Sequence, residues 1–378
     1  MEQEEYTAEH ILRVAKRHNN KKRKYILVNP WQGKHVPVSP VRALSMMKAL
    51  GIKVAMQYGE ARLVIGFAET ATAIGAVVAR VIHPDCLYVQ TTRENMPDLG
   101  ECLDFLEEHS HAPEQKLAIK GLGEAIEHTD TVVFVDDEIS TGKTICNIIA
   151  QLREKYPVLS EKKLVAASLL NRLSLTDEER LRSAGIDSAY LLKLAQEDYS
   201  GMVENWPIEE VQPLRRNVSV PYERCLFQME NNPRCVLIIG EYWQEWERLA
   251  QTILSQLPLD FQTDTLVLGT EEAMLPGLLL GRALESRGGK VHFHATTRSP
   301  ISISKVKDYP VRSGWAVHSL YDEMETRRNF IYNLRPYGQV IIVSDTALPE
   351  QEHIQSLLEV LQENDCGRIF YIGRGENV

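Results

Sequence analysis

Asp136 and Asp137 stand side by side at the end of an apolar run, residues 132–135, and Ser140, Thr141, Gly142, Lys143 and Thr144, small or hydroxylated apart from the lysine, follow shortly after. Ile145, Ile148, Ile149 and Leu152 then recur at helical spacing. The pattern reads as a buried strand, a tight loop and a helix whose first turn carries unpaired backbone N–H groups. Such an end attracts an anion, because several N–H groups and the helix dipole converge on one point. The hydroxyls of Ser140, Thr141 and Thr144 add donors, and Gly142 lets the backbone approach closely. A single phosphate fits there. The two carboxylates beside it suit a phosphorylated sugar, offering oxygens to ribose hydroxyls and to a hydrated Mg²⁺. A capped strand-to-helix turn with solvated acids is the plainer alternative. The P-loop of nucleotide triphosphatases is excluded, because the Gly it needs five residues before Gly-Lys is Asp137 here.

The elements that must position this stretch are short apolar strands alternating with helices. Strands are predicted over 25–29, 63–65, 87–91, 164–170 and 188–194, and helices over 1–22, 39–50, 73–80 and 176–184. Alternation of this kind implies an α/β fold with a parallel sheet and helices on both faces. The strand at 63–65 runs into Gly66, Phe67, Ala68, Glu69, Thr70, Ala71 and Thr72, a small-residue turn able to line a second anion site with backbone amides. Residues 95–121 are polar and lack periodicity; His109 and His111, two apart there, have no third ligand near them to make a metal site. Lys34 and His35 sit in a turn from which they could reach a phosphate or a base. Residues 201–225 carry Pro207, Pro213 and Pro221 and read as a linker.

The acidic pair and small-residue loop at 132–144 closely resemble the phosphoribosyl pyrophosphate (PRPP) signature of type I phosphoribosyltransferases. Gly33, Lys34 and His35 with Pro37, the run 66–75, residues 91–94 and 109–112, and Thr297-Arg298-Ser299-Pro300 extend the resemblance to the phosphoribosyltransferases that carry a C-terminal TRSP domain. The resemblance implies a glycosyltransferase of bacterial stress and tellurium-resistance gene clusters, with PRPP and a nitrogenous base as partners and Mg²⁺ as cofactor, carried mainly by PRPP and water rather than by protein ligands. It implies that residues 140–144 take the 5-phosphate and that Asp136 and Asp137 hold the ribose. Pyrophosphate would meet Ala68, Glu69, Thr70 and Ala71 together with Arg93, from which a flexible loop closes over the site. Glu138 replaces an apolar residue of many relatives and is a candidate site carboxylate. Ser140 stands where hypoxanthine-guanine enzymes have an Asp, which counts against 6-oxopurines, and the loop lacks the Lys-rich pattern of orotate enzymes.

The C-terminal part repeats this order. Residues 266–269 answer 63–66, Glu272 answers Glu69, Thr296-Thr297-Arg298 answer Thr91-Thr92-Arg93, His318-Ser319 answer His109-Ser110, and 340–345 answer 132–137. The phosphate loop does not survive: after Asp345 come Thr346, Ala347, Leu348, Pro349 and Glu350, with no Gly and with a Pro that removes one N–H. The expected organisation is an N-terminal helical extension at 1–22, a phosphoribosyltransferase domain at 23–200, a linker at 201–225 and a degenerate, Rossmann-like TRSP domain at 226–378. The second domain is a candidate hood over the base, through Arg298, Asp308, Tyr309, Arg312 and His318; two like domains in one chain would then imitate a homodimer, which is itself possible.

With 378 residues, two cores can form. A formal charge of −10 argues against a general nucleic-acid or anionic-membrane surface. That balance, and the lack of a recognition helix, weigh against a PRPP-sensing regulatory protein, the alternative function. The six cysteines show no zinc spacing and read as reduced thiols, and no run reaches membrane-span length, so a cytoplasmic protein is expected.

Overall fold

The computed structural model describes residues 6–18, 20, 23–96, 99–105, 115–213, 219–322, 327–346 and 351–375. The chain divides into two compact units, each discontinuous in sequence. A middle unit takes Leu44–Gln196 and Glu230–Glu245; a flanking unit takes Met1–Ala43, Glu197–Met229 and Trp246–Val378.

The middle unit holds a six-stranded sheet in the order Leu237–Ile238, Leu87–Gln90, Leu63–Gly66, Thr131–Ile139, Lys163–Asn171, Ile186–Lys193. Every neighbouring pair is parallel except the first. Val132, Val133, Phe134 and Val135 are wholly buried, as are Leu63, Val64 and Ile65, and continuous burial of this kind suits interior parallel strands. Helix Ala71–Ile82 is buried from Ala71 through Ala79, so its small residues are a packing requirement. A Cβ on Gly75 would stand 2.9 Å from the Gly66 Cα, which fixes how closely this helix rests on the end of strand Leu63–Gly66. Helix Lys143–Lys155 buries Ile145, Ile148, Ile149 and Leu152, the four residues whose spacing predicts it.

The flanking unit is built on a five-stranded sheet, Glu223–Phe227, Arg368–Arg374, Gln339–Val343, Thr265–Gly269, Val291–Ala295, parallel throughout. Leu266, Leu268, Val340 and Ile342 from its strands pack with Ile354, Leu357, Leu358 and Leu361 of helix Gln351–Glu363. Two antiparallel pairs complete it: Arg13–Lys16 with Tyr25–Val28, and Gly314–His318 with Arg328–Tyr332.

The two sheets share a core order. Leu87–Gln90, Leu63–Gly66, Thr131–Ile139 and Lys163–Asn171 correspond to Val291–Ala295, Thr265–Gly269, Gln339–Val343 and Arg368–Arg374. The bonds at the strand ends correspond too. Phe67 N donates to Val135 O at 2.9 Å as Thr270 N does to Val343 O at 3.1 Å. Thr91 N reaches Gly66 O at 2.9 Å, and Thr296 N reaches Gly269 O at 3.1 Å. The Thr91 hydroxyl accepts from Ala68 N at 2.7 Å, the Thr296 hydroxyl from Glu271 N at 3.0 Å.

Two expectations change. The N-terminal stretch 1–22 is not one helix: Ala8–Ile11 makes a single turn, and Arg13–Lys16 is a strand. Its backbone finds the Tyr25–Val28 strand as partner, and Ala15 is buried in a core with Val28 and Ile301. Residues 201–225 are not a free connector. Glu209 and Gln212 bridge to Ile303 and Trp315, and Glu223–Phe227 is an edge strand of the flanking sheet, so local Pro content is overridden by long-range pairing.

His35 and His294 lie fully buried in the flanking unit. Burial, then the charge of Lys34 and the nearby His294 and Arg17, holds His35 well below its ordinary 6.5. Burial also lowers His294, against the pull of the Gly33 and Tyr332 carbonyls at 2.8 and 2.7 Å. The folded state therefore resists protons that the unfolded chain accepts below 6.5, and stability is lost as pH falls from there. Urea midpoints should be level above pH ~7 and drop between about 7 and 5, with a shallower drop in His35→Asn; a midpoint that rises on acidification would contradict the assignment. Gly75→Ala should cost roughly 1–3 kcal/mol in the same assay, because backbone atoms cannot yield. Gly201→Ala, whose Cβ meets nothing within 4 Å, should leave the midpoint unchanged or raised.

Candidate functional site

At the carboxyl edge of the middle sheet, adjacent strands deliver two loops. The Thr131–Ile139 strand runs further than its apolar residues suggest, so Asp136, Asp137 and Glu138 lie within it, half-buried, with Asp136 in register with Ser168. Asp136 Oδ1 accepts from Asp137 N at 2.8 Å, which turns one carboxylate onto the backbone of the next residue. Gly142 then takes a left-handed conformation, φ 73°, and leads into helix Lys143–Lys155. Only a residue without a side chain sits there easily: a Cβ would also lie 2.6 Å from Leu181 Cδ1. Ser140, Thr141 and Thr144 are half-buried, while Lys143 is exposed. Thr141 Oγ1 accepts from Lys143 N at 3.3 Å, and the Arg180 guanidinium donates to Thr141 O.

Glu138 pairs with Arg172, Oε1 to Nη1 at 3.1 Å, and Arg172 N donates to Ile139 O, so this carboxylate is tied to the end of strand Lys163–Asn171. Arg180 also holds Asp177 at 2.9 Å. Partial burial works against the Asp177 carboxylate, but the Ser174 hydroxyl and Arg180 outweigh it and the pKa falls below the ordinary value. Burial pushes the Cys146 thiol up, so this cysteine of the same helix is no neutral-pH nucleophile.

The second loop is buried at every position from Phe67 to Ala71, and its Ala68–Glu69 peptide is cis. Thr72 Oγ1 donates to Glu69 O at 3.1 Å, and the Tyr88 hydroxyl to Thr72 O at 2.6 Å. Because Phe67 N is bonded to Val135 O, this loop leaves its strand beside the point where the neighbouring strand reaches Asp136. Arg93 follows strand Leu87–Gln90 and is half-buried beside buried Thr92 and Glu94. Sequence reasoning missed Arg234. Its side chain is 1% exposed, and its Nε donates to the Thr92 hydroxyl at 3.3 Å. The returning segment brings it there: Pro233 O accepts from Gln90 N, and Leu237–Ile238 pairs with Leu87–Gln90. An Asn-Asn-Pro-Arg turn more than a hundred residues downstream carries no local signal for this. His109 and His111 lie outside the described residues. Among the described residues no group of three or more His, Cys, Asp or Glu is placed to hold a metal, and no helix is long and apolar enough to cross a membrane.

The hood candidates belong to the flanking unit. Arg298 makes an ion pair with Glu271 at 3.7 Å. Tyr309 is a core residue whose hydroxyl donates to Ser302 O at 2.6 Å, and burial lifts it to about 12. Asp308 and Arg312 are exposed, and buried His318 donates its backbone N–H to Ser356 Oγ. His35 and Lys34 likewise fall in this unit.

Residues 11–190 match the family described as phosphoribosyl transferase, and the α/β fold with its parallel sheet and edge loops is of that class. Residues 241–361 match the domain described as the TRSP domain C-terminal to it. The chain belongs to the phosphoribosyltransferases with a C-terminal TRSP domain. Similar solved structures include an orotate phosphoribosyltransferase from Aeropyrum pernix, 18% identical, covering 41% of this chain and 72% of that one, with a TM-score of 0.27. An adenine phosphoribosyltransferase from Leishmania tarentolae is 16% identical, covering 50% and 90%, at 0.32. That of Trypanosoma brucei, in complex with AMP, pyrophosphate and ribose-5-phosphate, is 14% identical, covering 39% and 64%, at 0.28. No curated protein matches the chain significantly.

The Arg172–Glu138 pair is under a third exposed on both sides. A double-mutant cycle with Arg172→Ala and Glu138→Gln should return a coupling of about 1 kcal/mol in urea unfolding; additive losses would show that the contact contributes nothing.

Proposed function

We propose that the middle unit transfers the 5-phosphoribosyl group of PRPP to a nitrogenous base or base-like acceptor and releases pyrophosphate. The observation that carries this reading is the juxtaposition at one sheet edge. Asp136 and Asp137 lie near the end of a strand whose following loop Gly142 turns onto the first turn of a 13-residue helix, and the neighbouring strand delivers the buried small-residue loop at 66–71. A 5-phosphate on residues 140–144 would meet the backbone N–H groups of that first turn and the hydroxyls of Ser140, Thr141 and Thr144.

The ribose would then lie against Asp136 and Asp137. As the C1–oxygen bond to pyrophosphate lengthens, its electron pair leaves with the pyrophosphate and the ring becomes cation-like; two carboxylates held by the strand favour that charge. The acceptor nitrogen forms the new bond to C1 and gives up its proton. Arg93 and the backbone at Glu69 and Thr70 receive the leaving anion, the Ala68 and Ala71 amides being committed to the Thr91 hydroxyl and to Phe67 O, and the burial of that loop keeps water from the cation. The adjacent carboxylates of Asp136 and Asp137 suit Mg²⁺, which keeps most of its waters and is held largely by ligand oxygens. When bound, the ion would neutralise charge on the diphosphate. A biosynthetic role in stress or tellurium resistance rests on the TRSP resemblance alone.

Pyrophosphate release from PRPP and Mg²⁺ across a panel of purines, pyrimidines and other heterocycles tests the proposal. One acceptor should support turnover, and Asp137→Asn should lower it by on the order of 10²-fold or more. Gly142→Ala should raise the Kd for PRPP. Tight Mg²⁺-dependent PRPP binding with no release from any acceptor would assign a sensor in place of a transferase.

A further inference from the structure

The matched hydrogen bonds of the two units let the flanking sheet edge be compared with the middle one residue by residue. Gly269, Thr270, Glu271, Thr296 and Val343 take the places of Gly66, Phe67, Ala68, Thr91 and Val135. By the same register Arg298 answers Arg93, and Asp345 answers Asp137. Where the first copy has the methyl group of Ala68, the second has a carboxylate. Glu271 is 1% exposed, and its Oε2 lies 3.7 Å from Arg298 Nε and 3.5 Å from Arg327 Nη2. Its Oε1 accepts from the Ser319 hydroxyl at 2.7 Å, and Arg327 Nη2 donates to the same hydroxyl at 2.6 Å. The residue is held in a left-handed backbone conformation, φ 51°, which an L side chain adopts only when its surroundings require it. Asp345 is engaged in a similar way: the Tyr321 hydroxyl lies 2.7 Å from its Oδ1 and 3.1 Å from Thr270 O.

We propose that the edge of the flanking sheet is a second anion site, of the pyrophosphate-binding kind, that the chain fills with its own side chains. The Glu271 carboxylate stands in for the anion between Arg298 and Arg327, and the Tyr321 hydroxyl stands in for a sugar hydroxyl on Asp345. The assignment rests on reading residues 66–71 with Arg93 as an anion site. Because Glu271 is tethered and triply held, free anions cannot compete with it, and the chain binds one pyrophosphate rather than two. Removing the carboxylate leaves two arginines facing a vacated pocket, which pyrophosphate then enters.

Calorimetric titration of the full chain with pyrophosphate tests this. Glu271→Ala should bind one more equivalent than the wild type, and Glu271→Ala with Arg298→Ala should lose that extra equivalent. The increment, not the total, is the readout: if the middle unit bound no pyrophosphate, the counts would run from none to one and the proposal would stand while the proposed function fell. An unchanged count in Glu271→Ala, or two equivalents already in the wild type, overturns it. A thermal readout covers a variant too unstable to titrate. Glu271→Ala should melt below the wild type, and pyrophosphate should recover more of its melting temperature than it adds to the wild type. Glu271→Gln, which keeps the volume and the Ser319 contact, should show a smaller recovery. No recovery in either variant overturns the proposal equally.

Discussion

Backbone bonds, Phe67 N to Val135 O and Thr91 N to Gly66 O, fix the register of three parallel strands in the middle unit, and the candidate site depends on them. If the strands slipped by one residue, the carboxylates at Asp136 and Asp137 and the amides at 66–71 would face different surfaces. Burial on both sides of strand Leu63–Gly66 makes that register costly to change, and the bare backbone of Gly75 against Gly66 fixes the helix above it. Rigid strands thus carry loops whose chemistry is set by very few side chains.

The flanking unit retains that frame and alters its side chains. The strand order and the strand-end bonds persist, while Ala68 becomes Glu271 and the helix-opening Gly-Lys-Thr has no counterpart after Asp345. Backbone bonds are indifferent to such changes, so the architecture outlasts the chemistry. The arginine at the strand end persists in both copies, and in the second it is satisfied from within.

The strand, loop and helix at 131–155 were legible because each rests on local order: a buried apolar run, a glycine where φ must be positive, and isoleucines at helical spacing. The repeat was legible because short motifs recur in one order. What stayed hidden depends on partners far along the chain. Nothing in residues 13–16 predicts a strand until Tyr25–Val28 is beside it, and Arg234 reads as part of a proline turn until its segment pairs with Leu87–Gln90. Glu138 offered a similar difficulty: a third acid beside two others looks like part of the same site, and only the position of Arg172 shows where its charge is spent.

Both units are discontinuous, with the chain passing from flanking to middle at Ala43, back at Gln196, across again at Met229 and back at Glu245. On a ribosome the middle unit therefore has all of its strands once residue 245 has emerged, while residues 6–43 wait for the strands of the flanking sheet, the last of which is Arg368–Arg374. The N-terminal hairpin and the buried His35 are made first and seated late. Neither unit can be cut out as one uninterrupted fragment, so the chain inherits as a whole, in a single translation, what its two matching sheets would otherwise have allowed as separate proteins.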